Sequence, residues 1–185
     1  GSIPTTAATA DVTITGEATN SQFGLTMALG DFNGDGRTDL AVGAPQYSTN
    51  TGRTYIFYND GSIPTTAGTA DVIITGEATA YGLGMALVSG DFNSDGGVDL
   101  AISNAYFLAS TQTVYFYNGK GNFSWTLQGQ YGSTVPRISA GFSGQELKIT
   151  GGTTSNDFGT SFASGDFNSD GKTDLAIGAS AYSSS

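Results

Sequence analysis

One nine-residue segment occurs three times in this chain: Asp31-Phe-Asn-Gly-Asp-Gly-Arg-Thr-Asp39, Asp91-Phe-Asn-Ser-Asp-Gly-Gly-Val-Asp99 and Asp166-Phe-Asn-Ser-Asp-Gly-Lys-Thr-Asp174. Each copy carries side-chain oxygens at positions 1, 3, 5 and 9 and a glycine at position 6. A single copy would read as an ordinary turn, because Asp, Asn and Gly favour turns by themselves. Three copies with the same donors and the same glycine describe a ligand-holding loop on a repeated structural unit.

Alternate residues of a tight loop point inward together, so positions 1, 3 and 5 supply three oxygens to one point. The composition is an oxygen cage for a hard cation, and calcium takes six to eight such oxygens in a flexible shell. Magnesium, which prefers a small octahedral shell with several waters, fits less well. The expected side-chain ligands are Asp31, Asn33, Asp35 and Asp39; Asp91, Asn93, Asp95 and Asp99; and Asp166, Asn168, Asp170 and Asp174. Position 7 varies between Arg37, Gly97 and Lys172, as expected where only the backbone carbonyl binds. The glycine at position 6 permits the sharp turn. The first half resembles an EF-hand loop, but position 12 is Val42, Ile102 or Ile177 instead of a bidentate Glu. The closing carboxylate comes at position 9, and the hydrophobic run that follows places each loop between two strands.

Of the 16 acidic residues, 9 lie in these loops, and the formal net charge is −10. Three bound calcium ions would bring this to −4 (−10 + 6), so much of the acidity reads as metal ligand. With 6 Lys and Arg there is no basic patch to neutralise phosphates, which argues against nucleic acid. No apolar run reaches membrane-spanning length, so no membrane insertion is expected. Cysteine is absent, so disulfides do not staple the fold. Calcium can take that role where it is abundant, which suggests a secreted protein, extracellular or at the cell surface. Histidine is also absent, which removes Ser-His-Asp and Cys-His catalysis and the usual zinc ligands. The chain reads as no enzyme.

Internal similarity sets the architecture. Residues 1–19 recur almost unchanged at 61–79, an offset of 60 shared by the first two cages; the third cage follows 75 residues later, so the second unit carries an insertion within 118–144. Strands are predicted at 25–29 into the first cage, 39–43 out of it, 53–58 (aromatic and β-branched) and 71–75. No segment keeps a 3.6-residue apolar period. Four short strands per unit of about sixty residues fit a β-propeller blade; a β-solenoid is the alternative, with shorter repeats as a rule.

These units resemble FG-GAP repeats, the blades of the integrin α-subunit β-propeller and its bacterial relatives. The motifs are Phe23-Gly24 before the first cage and Gly43-Ala44-Pro45 after it, then Phe158-Gly159 and Gly178-Ala179-Ser180 in the third unit. The second unit departs, with Leu83-Gly84 and Ser103-Asn104-Ala105. The resemblance implies an all-β fold of four-stranded antiparallel blades. Known propellers close with at least four blades, so about three units make an incomplete or open propeller. The expected layout is an outer strand of a preceding or partner blade (1–21), a first blade (22–79), a second (80–152) and a truncated third (153–185). The chain reads as a segment of a longer protein, or as a unit that joins other copies by β-augmentation.

The implied function is a calcium-stabilised extracellular binding or adhesion module for a protein or glycan ligand. The alternatives are a self-assembling fibre or surface-layer repeat, and non-catalytic accessory repeats of a secreted enzyme. Residual chemistry would have to come from Glu17, Glu77 or Glu146, and the first two occupy equivalent repeat positions. The insertion holds Phe123, Trp125, Tyr131 and Arg137, either a partner site or aromatics packed on their own blade. Tyr47, Tyr106 and Tyr182 follow the cages, either lining a repeated sugar-binding surface or, the favoured reading, packing between blades; Met27 and Met85 are read as core. Asn122-Phe-Ser124 is a formal glycosylation sequon.

Overall fold

The computed structural model describes residues 6–105, 112–119, 146–151 and 157–180. Two four-stranded antiparallel meanders follow one another. The first comprises β1 (Thr26–Gly30), β2 (Asp39–Ala44), β3 (Arg53–Phe57) and β4 (Val72–Thr75); the second comprises β5 (Leu87–Gly90), β6 (Asp99–Ser103), β7 (Thr113–Tyr117) and β8 (Glu146–Thr150). A third sheet begins with β9 (Phe158–Gly165) and β10 (Asp174–Ala179). The strands match the predicted ones to within about two residues. The protein is all-β, and the sheets are successive blades of an open propeller. The insertion, with Phe123, Trp125, Tyr131, Arg137 and the sequon, lies outside the described residues, as do Tyr106 and Tyr182.

The middle strands are apolar without alternation because both of their faces are covered. In the first blade Ala41 and Ile56 face one cluster, while Val42, Tyr55 and Phe57 face another. The first of these clusters is the joint between blades: Ala28, Phe32, Ala41 and Ile56 of the first unit meet Leu83, Leu100, Ile102 and Tyr115 of the second. The next joint repeats the pattern, with Ala101, Val114 and Phe116 against Phe158 and Phe162. Polar bonds lock the inner strands across the first joint: Ser89 Oγ donates to the Leu29 carbonyl at 2.6 Å, and Thr26 Oγ1 to the Gly84 carbonyl at 2.7 Å. Burying these side chains is the main source of stability, since a β-sheet with one uncovered apolar face is marginal.

The Phe-Gly motif has a backbone reason. Gly24, Gly84 and Gly159 sit at φ of +87°, +93° and +85°, the left-handed region that side chains disfavour. In the second and third units the residue before that glycine, Leu83 or Phe158, packs into the joint with the preceding blade. In the first unit Phe23 meets Tyr55 and Phe57 edge-on, at 5.5 and 6.5 Å between centroids. Ile14, Ile63 and Ala67 cover the same face. Residues 12–15, the counterpart of β4, reach this face through one parallel bridge between Thr15 and Thr66.

One expectation is corrected. Met27 is not core: it is 62% exposed, beside Leu29 at 62% and Leu25 at 49%. Its counterparts Leu87 and Phe162 pack against the preceding blade. The position is a joint position, and in the first blade its joint is open. Met85, the counterpart of Leu25, is half-buried.

The joints supply a prediction. Phe32, at loop position 2, is 7% exposed within the first joint, whereas its counterpart Phe167 is 60% exposed. Phe32→Ala is expected to cost about 3–5 kcal/mol by denaturant unfolding, and Phe167→Ala no more than about 0.5 kcal/mol. Equal losses would contradict the joint as described.

Candidate metal centre

The three loops connect β1 to β2, β5 to β6 and β9 to β10, so all stand at the same end of their blades. Their internal bonding repeats. The position 1 carboxylate accepts the N–H of positions 5 and 6: Asp31 Oδ1 from Asp35 at 3.0 Å and Oδ2 from Gly36 at 2.9 Å, with the same pairs from Asp91 and Asp166. The position 3 amide oxygen accepts the position 5 N–H, at 3.0 Å for Asn33 and 2.9 Å for Asn93 and Asn168. The position 5 carboxylate accepts the position 7 N–H at 2.7–2.9 Å. Gly36, Gly96 and Gly171 take φ of +85°, +78° and +82°, which makes position 6 a glycine for a conformational reason as well.

Position 9 does more than close the loop. Asp39, Asp99 and Asp174 each accept, through Oδ2, the N–H of the Phe at position 2, at 2.9 Å in every copy. Asp39 Oδ1 also takes the Asn59 N–H at 2.8 Å, which ties the loop to the end of β3. Asp39 and Asp99 are buried. Burial pushes the Asp99 carboxyl up to about 6; the Phe92 N–H opposes this, and the Asp95 and Asp91 charges add to it. The Gly119 N–H also lies against this carboxylate, yet Asp99 Oδ1 closes no hydrogen bond of full geometry. The ion pairs seen among the described residues, Arg53–Glu17 and Lys148–Glu77, lie outside the loops. Arg37 turns its guanidinium to the Asn59 carbonyl at 3.2 Å.

No group of three acidic side chains among the described residues stands ready-made around a point for a cation. The oxygens instead close on the loop's own N–H groups. The donor set nevertheless fits a hard cation. Most of these oxygens keep lone-pair capacity beyond the bond they accept, the exceptions being Asp31 Oδ1, which takes two N–H groups, and Asp95 Oδ2, which takes two side-chain amides, and oxygen is the only donor type in the loop. The buried Asp99 oxygen lacks a full partner, and the turn that would fold around an ion is already formed.

Two participants escaped the sequence reading. The Phe at position 2 is the link between loop and joint, and its signal was its invariance across all three copies. The short stretch after β3 or β7 is the other: the Asn59 N–H braces Asp39, and Asn118 Nδ2 donates to Asp95 Oδ2 at 3.1 Å. These lie about twenty residues from their loops, and only the strand pairing brings them near.

A second polar cluster involves the equivalent glutamates. Glu17 accepts Arg53 Nη1 at 2.6 Å and the Tyr55 hydroxyl at 3.0 Å, while the Arg53 guanidinium lies 3.9 Å from the Tyr47 ring centroid. Glu77 pairs with Lys148, which lies over Tyr115. Each glutamate thus ties the segment before a blade onto that blade. The Glu146 side chain lies outside the described residues. Burial is the largest single influence on Glu17 and raises its pKa, but the hydrogen bonds from Arg53, Tyr55 and Tyr47 and the Arg53 charge together outweigh it and hold the carboxyl below its ordinary value. Burial and the Glu17 carboxylate push the Tyr55 hydroxyl up to about 12, so it remains a donor. The carboxylate therefore contributes stability above its unfolded-state pKa, and loses it as pH falls through the lower folded value. The pair is partly exposed, so Glu17→Gln is expected to cost below about 1 kcal/mol at neutral pH. The difference from the parent should vanish in acid below the ordinary value of 4.5. Denaturant unfolding across pH checks this, and a pH-independent difference would contradict it.

Comparison with known proteins agrees with the blade geometry. A model of the FG-GAP repeat family matches residues 23–57 and 158–185. Integrin alpha-IIb of Mus musculus is 37% identical over 100 residues, 49% of this chain and 10% of that protein. Integrin alpha-4 of Xenopus laevis is 31% identical over 172 residues, 89% of this chain and 15% of that protein. Phosphatidylinositol-glycan-specific phospholipase D of Rattus norvegicus is 34% identical over 166 residues, 85% of this chain and 18% of that protein. The chain thus spans less than a fifth of the length of each of these relatives. The repeat period, the strand order, the Phe-Gly turns and the matched stretches describe the same unit: the chain carries FG-GAP repeats at residues 23–57 and 158–185.

Proposed function

We propose that the chain is a calcium-stabilised binding module that works outside the cell and presents a surface to a protein or glycan ligand. FG-GAP repeats of the integrin α type suggest adhesion or ligand binding. The observation that carries the calcium reading is the repetition of one oxygen-only loop, with one bonding pattern, at the same end of three blades. When bound, calcium would neutralise the clustered carboxylates, Asp99 above all. The side chains would rotate onto the ion while the turn stays in place. The residues that would hold it are Asp31, Asn33, Asp35 and Asp39 with the Arg37 carbonyl, and their counterparts Asp91, Asn93, Asp95, Asp99 and Gly97, and Asp166, Asn168, Asp170, Asp174 and Lys172. The role is structural. Position 9 carries both the closing carboxylate and the bond to the Phe that enters the joint, so an ion in the loop would stiffen the joint.

The reading as a non-enzyme rests on the same picture. Glu17 and Glu77 are engaged in blade joints, and the loop acids are cage donors. An extracellular site follows from the calcium requirement and from the integrin relatives. Among the described residues, no helix is long and apolar enough to cross a membrane. Self-association is the second reading. Leu25, Met27 and Leu29 are exposed on the face that in later blades receives a neighbour, so a blade from a second copy fits there.

Calorimetric titration with calcium tests the main reading. About three ions per chain should bind, and each filled site should add about 2.7 kcal/mol of stability at a hundred times its dissociation constant. Joint replacement Asp91→Ala and Asp95→Ala should remove one ion. No heat and no change in unfolding would overturn the reading. Sedimentation velocity over a concentration series separates the readings: a monomer at all concentrations contradicts self-association, and growing oligomers support it.

A further inference from the structure

We propose that Asn33 is a self-modification site, converted in the folded chain to aspartate and isoaspartate by attack of the Gly34 backbone nitrogen. The three loops differ at position 4: Asn33 is followed by Gly34, but Asn93 and Asn168 are followed by Ser94 and Ser169. Gly34 lies at φ +77°, and a Cβ placed on it would meet nothing within 4 Å. The two serines hold side chains in the same left-handed region, at φ of +61° and +63°. Ring closure needs the backbone to rotate until the nitrogen of residue i+1 reaches the side-chain carbon of residue i. A glycine permits that rotation, and a Cβ obstructs it. Asn33 and Gly34 are both exposed, which admits water, whereas Asn93 is half-buried.

The loop also prepares the amide. The Asp35 N–H donates to Asn33 Oδ1 at 3.0 Å, so a donor already faces the oxygen on which negative charge grows as the nitrogen attacks. Asp31 Oδ1 accepts the Gly34 N–H at 2.8 Å and polarises it. In the first step the Gly34 nitrogen bonds to Asn33 Cγ and the Cγ–Nδ2 bond breaks. The proton lost by Gly34 leaves with Nδ2 as ammonia, and a five-membered cyclic imide remains. Water then adds to one of the two imide carbonyls and the ring opens. One opening gives aspartate at position 33; the other gives isoaspartate, with the backbone routed through the side chain. Nothing is oxidised or reduced, and water is the sole co-reactant. The aspartate product turns the position 3 donor from a neutral amide into a carboxylate. The isoaspartate product lengthens the loop backbone by one carbon. The first loop thereby acquires a time-dependent charge and shape that its sister loops lack, and this holds whether or not the loops bind calcium.

The test incubates the full chain in chelator at mildly alkaline pH, with peptide mapping by mass spectrometry at Asn33, Asn93 and Asn168. A synthetic peptide of the first loop, run alongside, sets the clock. Asn33 should exchange its amide NH2 for OH about tenfold or more faster than the other two, and Gly34→Ser should bring it to their rate. Equal rates at the three sites, an unchanged rate in Gly34→Ser, or an intact Asn33 when the peptide has converted would each overturn the proposal.

Discussion

The bond between the Phe N–H at loop position 2 and the Asp carboxylate at position 9 organises each unit. It spans 2.9 Å in all three copies. It pins the first residues of the loop to the start of the next strand, so the two inner strands of a blade leave the turn in register, from Gly30 against Asp39 onward. It also fixes where the Phe ring goes. In the first two units that ring enters the joint to the following blade, where Phe32 packs with Leu100 and Tyr115, and Phe92 meets Phe116 edge-on at 5.8 Å. A polar turn and an apolar interface are thereby set by adjacent groups on one residue. The second loop packs tightly on the end of β1: a Cβ on Gly30 would come within 2.6 Å of Val98 Cγ1.

This coupling accounts for the composition of the chain. A repeat array has no central core; stability comes from each unit and from the contacts between neighbours. With no cysteine available, the joints depend on apolar packing, on polar clasps such as Ser89 to Leu29, and on the glutamate ties at Glu17 and Glu77. In the most enclosed loop, burial raises the Asp99 carboxyl above its ordinary range, and the neighbouring Asp95 and Asp91 charges add to that. A divalent cation, if the loops hold one as proposed, would offset those charges, and its effect would pass into the joint through position 9.

The sequence was most legible where the period was short and the chemistry local. The strand 53–58 announced itself by its β-branched and aromatic run, and the turn between the inner strands by its repeated Asp, Asn and Gly spacing. The alternation expected of half-buried strands was missing from Leu40–Ala44, and the two covered faces of a blade explain why. Met27 was misread because its apolar character describes a joint position, and whether a joint is covered depends on the neighbouring blade. Asn59 and Asn118 were invisible as loop partners because their role arises from strand pairing across about twenty residues. Phe32 was visible as a repeated letter, yet its double duty needed both the backbone bond and the ring environment.

Hydrogen exchange at the amides of Phe32, Phe92 and Phe167, with calcium and then with excess chelator, tests the central coupling most directly. These amides report the position 2 to position 9 bond itself. If the loop ion stiffens the joint, all three should exchange more slowly with calcium, and amides of β5 and β6 at the first joint should slow with them. Unchanged exchange at all three would contradict the coupling of cation loop to blade joint.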